Sequence, residues 1–166
     1  MALLRRLLLL LLLMFWQGGF TFYAAVVVPI GTDLLGLPIN QGVITRQVTN
    51  WLNVAGAVAL AAWAWDIAAD PARARTCQRA RWLLWITLAL LLAALVWLHP
   101  RLDALFDAEN LHIEDQGAFT VLHRWYLWLG TVQWAGAIVL IFSTLQTWRD
   151  ADHRASQARM PSTTSP

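Results

Sequence analysis

The sequence predicts an all-α integral membrane protein, a four-helix transmembrane bundle with both termini cytoplasmic. Three observations carry that expectation. Hydrophobic residues make up 58% of the 166-residue chain and charged residues only 13%, against about 45–50% and about 25% in soluble domains. The apolar residues fall in long stretches, several of them near the roughly 20 residues needed to cross ~30 Å of hydrocarbon at 1.5 Å per residue. The basic residues, 12 in all and every one an arginine, cluster on alternate breaks between those stretches.

The first stretch spans residues 7–30. Arg5 and Arg6 before a leucine run are also how a signal peptide starts, but no small-residue cleavage site follows Leu13. The chain runs on through Gln17-Gly18-Gly19 to Ala24-Ala25-Val26, which predicts a retained helix. Pro29 is expected to end or bend it. Residues 31–42 carry Gly, Asp, Pro and Asn and read as a loop. The second helix is predicted over 42–69, with Asn40 as N-cap and Pro71 as stop. A basic loop with Arg73, Arg75, Arg79 and Arg81 leads to the third helix, 82–98, which stops before His99-Pro100. The next connection is acidic, with Asp103, Asp107, Glu109, Glu114 and Asp115. Its Leu102, Leu105 and Phe106 are spaced for a short surface helix. The fourth helix is predicted over 118–148, closing a transmembrane domain of residues 1–148. Residues 149–166 are polar and end Pro-Ser-Thr-Thr-Ser-Pro, which predicts a disordered cytoplasmic tail.

Orientation follows from the arginines. Arg5, Arg6, Arg73, Arg75, Arg79, Arg81, Arg149, Arg154 and Arg159 fall on one side, and Arg46, Arg101 and Arg124 on the other. The excess of basic residues near helix ends marks the cytoplasmic face. The chain is thus expected in a bacterial cytoplasmic (inner) membrane, its acidic loop outward. Trp63, Trp65, Trp82, Trp85 and Trp148 are expected in an inner aromatic belt, and Trp51, Trp97, Trp125 and Trp128 in an outer one. Trp16 and Trp134 fall deeper.

Polar residues inside the spans are the candidates for function. Arg46, Thr49, Asn50, Asn53 and Gly56 recur at helical spacing in the outer half of the second helix, and His123, Tyr126, Gly130 and Gln133 do so in the fourth. Two readings compete. Asn50, Asn53, Gln133 and Gln17 can be interhelical hydrogen-bond contacts, with Gly56, Gly130 and Gly136 admitting close approach. Alternatively Arg46, Asn50, Asn53, His123 and Arg124 line a polar pocket open to the outside, as a small-solute or ion carrier would need. Haem ligation would need two histidines at matching depth, and only His99 and His123 come near. A metal site drawing on His112, Glu109, Glu114, Asp115 and His123 matches no zinc or copper spacing. No cofactor is therefore expected, and a haem- or metal-bearing electron-transfer subunit is the least favoured alternative. Asp66 lies four residues from Asp70, where Arg73 or Arg81 can pair with it. No catalytic motif occurs. Cys77 stands alone, which excludes an internal disulfide and a cysteine cluster. The net charge of +2 gives no footprint for nucleic acid.

Two fragments, Gly19-Phe20-Thr21-Phe22-Tyr23 leading to Val28-Pro29 and Phe119-Thr120-Val121-Leu122-His123-Arg124, resemble the transmembrane-protein-two-hundred-and-five-like family of small four-helix membrane proteins. The resemblance implies four helices and membrane residence, with Asn53 and His123 as matching polar positions, and no established chemistry. The expected function is a non-enzymatic accessory or scaffold subunit. Its expected partners are membrane lipids and other membrane subunits or further copies of itself.

Overall fold

A computed structural model describes residues 2–36, 38–69, 75–107 and 112–158, with backbone alone at residues 2, 38, 39 and 75–77. The described chain is all-helical apart from one short β bridge, and four of its helices are long and apolar enough to cross a membrane. The helix α1 covers residues 2–35, α2 is Pro38–Ala68, α3 is Arg75–Ala104 and α4 is Gln116–Gln157.

Helix α1 is continuous but not uniform. Met14–Gly18 and Tyr23–Val27 are π-helical turns between α-helical segments. Pro29 supplies a reason for the second. A proline has no N–H for the carbonyl four residues back and its ring collides with that group. Widening the preceding turn moves the carbonyl aside. The expected stop at Pro29 is thereby avoided, and the helix ends instead at Gly36, whose φ of 72° is left-handed and suits a residue without Cβ.

Proline also opens α2, at Pro38, where a missing N–H costs nothing. Asn40 therefore sits inside the helix rather than capping it. Its Nδ2 donates to the Leu35 carbonyl 3.1 Å away, capping the end of α1 instead. Helix α3 is longer at both ends than residues 82–98 and carries Pro100 within it. The surface helix expected around Leu105 is absent. There Phe106–Asp107 (β1) pairs antiparallel with His112–Ile113 (β2), Phe106 opposite Ile113. Helix α4 starts two residues early because Asp115 caps it, Oδ1 accepting from the Ala118 N–H at 2.9 Å. It runs on through residues 149–157, part of the segment expected to be a disordered tail. Here Asp152 is held by Arg6, at 2.8 and 3.0 Å. Residues 159–166, together with Asp70, Pro71, Arg73 and Glu109, lie outside the described residues.

Contacts fix the packing. Arg5 meets Asp66, Trp16 meets Gly56 and Gly31 meets Gln41, so α1 and α2 are antiparallel. Asp66 meets Arg81 and Arg46 meets Asp103, so α2 and α3 are antiparallel too. Leu88 meets Gly136 while His99 meets Tyr126, which makes α3 and α4 antiparallel. Arg6 to Asp152 and Trp134 to Thr21 close the ring between α4 and α1. The core runs along the axis through Leu9, Leu13, Trp16, Leu60, Trp63, Ile67, Leu88 and Leu140. Gly56 makes room for Trp16 in it. A Cβ there would lie 2.8 Å from Trp16 Nε1, so only a bare Cα admits the buried indole. Trp63 is fully buried and Trp148 nearly so, which removes both from the belt in which they were expected. Trp51, Trp65, Trp97, Trp125 and Trp128 are exposed on the bundle surface.

Candidate functional site

The polar residues singled out from the sequence do not converge on one pocket. Helical geometry, about 100° per residue, explains which of them turn inward. The buried face of α2 is built by Asn53, Gly56, Leu60, Trp63 and Ile67. Asn50 is about 120° from the centre of that face and is exposed. Arg46, near the edge of the face, is half-buried and reaches across to α3, its Nε 3.0 Å from Asp103 Oδ2. Asn53 is buried, and its Nδ2 donates to the Tyr126 hydroxyl at 3.2 Å.

On α4 the buried face runs through Tyr126, Gly130, Gln133, Ala137, Leu140 and Thr144. His123 is about 60° off its centre and Arg124 about 160° off, and both are exposed. His123 stacks on Phe119 one turn earlier, ring centroids 5.7 Å apart and planes 8° from parallel. Gln133 is buried and donates to the Leu88 carbonyl at 3.5 Å, a weak bond by distance. Arg46, Asn53 and Gln133 thus join helices, while Asn50, His123 and Arg124 face outward. The pocket expected from these residues is not assembled.

What forms at this end is a chain of contacts the sequence reading missed. Asp103 faces both Arg46 and His99, the latter with Nε2 at 3.7 Å and one helical turn away. His99 in turn lies against the Tyr126 ring, centroids 6.2 Å apart. Asn53 completes the row. It crosses α2, α3 and α4, and Pro100 leaves His99 inside α3 rather than beyond it. Nearer α1, Gln41 Nε2 donates to the Tyr23 hydroxyl at 3.1 Å, which donates to Thr45 Oγ1 at 2.9 Å.

The opposite end holds a second network, far more buried. Asp66 is almost fully enclosed. Arg81 Nη2 lies 3.0 Å from its Oδ2, and Arg5 Nε lies 3.0 Å from its Oδ1, close in charge but off the angle of a hydrogen bond. Thr144 Oγ1 accepts from Trp63 Nε1 at 2.9 Å and from Arg81 Nη2 at 3.3 Å, and Trp148 Nε1 donates to Asp66 at 3.4 Å. Every helix contributes. Of the two partners expected for Asp66, Arg81 is the one seen, and Arg5 was missed. Its signal was depth, since Arg5 and Asp66 fall at matching ends of antiparallel helices.

No protein-family model matches the chain, no curated protein matches it, and no solved structure does. What the chain does must be argued from its own residues.

Proposed function

We propose that the chain is a multi-pass membrane protein acting as a non-enzymatic scaffold or accessory subunit, with outward helix faces that pack against lipids and partner helices. One observation carries this. The polar side chains within the helices are used to join helix to helix, as in Arg46–Asp103, Asn53–Tyr126 and Arg81–Asp66. Large apolar side chains point out instead. On α1 alone, Leu3, Leu7, Leu11, Phe15 and Phe22 are all at least half exposed. Such a face is at ease in hydrocarbon and ready for a neighbouring helix, with no gain from water exclusion needed.

The membrane orientation belongs to the same reading. Arg5, Arg6, Arg79, Arg81, Arg149 and Arg154 crowd the Asp66 end, while Arg46, Arg101 and Arg124 stand at the His99 end. The positive-inside rule puts the first group, and with it both termini, in the cytoplasm of a bacterium. A retained first helix is supported by what it supplies, Leu9, Leu13 and Trp16 to the core and Arg5 to Asp66. The resemblance to the transmembrane-protein-two-hundred-and-five-like proteins favours the same architecture.

Purification of the full chain in mild detergent, followed by mass measurement of the particle, tests the scaffold reading. A complex with other subunits or with further copies is expected, and a strictly solitary monomer would count against it. The carrier reading draws on the partly buried Arg46–Asp103–His99 group. Asn53→Ala and His99→Ala separate the two, since a carrier loses transport with its fold intact, whereas a scaffold loses only stability.

A further inference from the structure

A groove of about 630 Å³ opens on the outer surface between α3 and α4. Its wall includes Leu91 of α3 and Val121, Arg124, Trp125, Trp128 and Val132 of α4. We propose that this groove binds an anionic phospholipid, one acyl chain lying along the apolar wall and the phosphate resting on the Arg124 guanidinium. The proposal rests on the membrane reading above.

Charge complementarity selects the occupant. Arg124 is the only charged side chain on the wall, it is exposed, and it has no ion pair or hydrogen-bond partner among the described residues. The other arginines of the His99 end are engaged. Arg46 is on Asp103, and Arg101 donates to the Trp97 carbonyl at 2.8 Å with its guanidinium 3.3 Å over the Trp97 ring. A guanidinium left over at headgroup depth matches a phosphate with two parallel hydrogen bonds. A lipid without a compensating amine leaves that phosphate fully available.

Length agrees with charge. From Arg124 to Val132 the helix rises about 12 Å, most of the ~15 Å depth of one leaflet's hydrocarbon. The headgroup contact and the far end of the wall are thus one acyl chain apart. Trp125 and Trp128, both exposed, flank the upper part, where indole rings favour the boundary between headgroups and chains. Sequence periodicity places these residues on a stripe of their own, facing away from the buried face of α4.

Native mass spectrometry of the detergent-purified full chain tests this, with phosphatidylglycerol and phosphatidylcholine of identical chains as probes. The unaltered protein should retain phosphatidylglycerol in preference. Arg124→Gln should lower that preference about tenfold, the scale of one charged hydrogen-bond pair. Arg124→Lys should keep most of it, and Arg101→Gln should leave it unchanged. Val132→Trp fills the groove and should remove retention of both lipids. An unchanged preference in Arg124→Gln, or full retention in Val132→Trp, overturns the site. An alkaline carbonate wash separates the parent reading. Release of the protein from membranes ends both, whereas a retained protein with an indifferent Arg124 ends only the lipid site.

Discussion

Asp66 on α2 and Arg81 on α3 face each other at 3.0 Å, their side chains only 2% and 5% exposed. Neither can reach water, so each is the other's solvent. Removing one charge of a buried pair leaves the other uncompensated, at about 3–5 kcal/mol, while replacing both with apolar groups is often tolerated. Asp66→Asn should therefore lower stability in a detergent-micelle denaturant titration by that order. The double change Asp66→Leu, Arg81→Met should be the milder of the two. Arg5 does not alter the ranking, because its side chain is 21% exposed and can turn to solvent. A single variant as stable as the parent would mean that the pair contributes nothing.

Thr144 offers a finer test of the same network. Its hydroxyl is the acceptor for the buried Trp63 indole at 2.9 Å and touches Arg81 at 3.3 Å. Thr144→Val keeps the shape and deletes the acceptor. A buried donor left without a partner costs about 1–3 kcal/mol, so the melting temperature should fall. Thr144→Ser restores the oxygen and should recover most of the loss. Equal melting of the Val and Ser variants would show that methyl packing, not the hydroxyl, matters there.

Glycines separate packing from propensity. At Gly56 an added Cβ would sit 2.8 Å from Trp16 Nε1, and Trp16 is itself buried. Gly56→Ala should push the indole aside and cost about 1–3 kcal/mol, the usual penalty of overpacking. At Gly18 nothing lies within 4 Å and the backbone is right-handed, with φ of −66°. Gly18→Ala should be neutral or stabilise by up to about 1 kcal/mol. Thermal unfolding of both variants, side by side, decides the matter. The prediction fails if Gly18 proves the more sensitive.

The four helices and their order were legible because long apolar runs and alternate arginine clusters are one-dimensional signals. Where each helix ends was less so. Asp115 caps α4 through a side chain that also suits an acidic loop, and Asn40 serves the helix before it rather than its own. The π turns were not legible at all, since Pro29 announces a disturbance without saying that the helix will widen rather than stop. The candidate site was half legible. Spacing found Arg46, Asn53 and Gln133, but a stripe drawn with a tolerance of one residue also swept in Asn50 and His123, which lie off the buried face. Arg5 with Asp66 and Arg46 with Asp103 join residues whose depth, not spacing, matches, so their pairing emerges only when the helices are laid against each other.

Orientation can be read with one reagent. Cys77 is the only cysteine, so Cys77→Ser gives a background free of thiols. Glu114 is exposed in the connection before α4, at the His99 end, and Ser156 is exposed near the end of α4, beyond the Asp66 end. Placing cysteine at each position in turn reports the two faces with a membrane-impermeant maleimide. The arginine asymmetry between the ends predicts that Glu114→Cys is labelled in intact cells. Ser156→Cys should react only after the membrane is opened. Helix α4 has 42 residues, about 63 Å at 1.5 Å per residue, so if it crosses a ~30 Å hydrocarbon layer it carries the two sites out on opposite sides. Labelling of both in intact cells would refute insertion. Labelling of Ser156→Cys alone would invert the orientation while leaving the bundle as described.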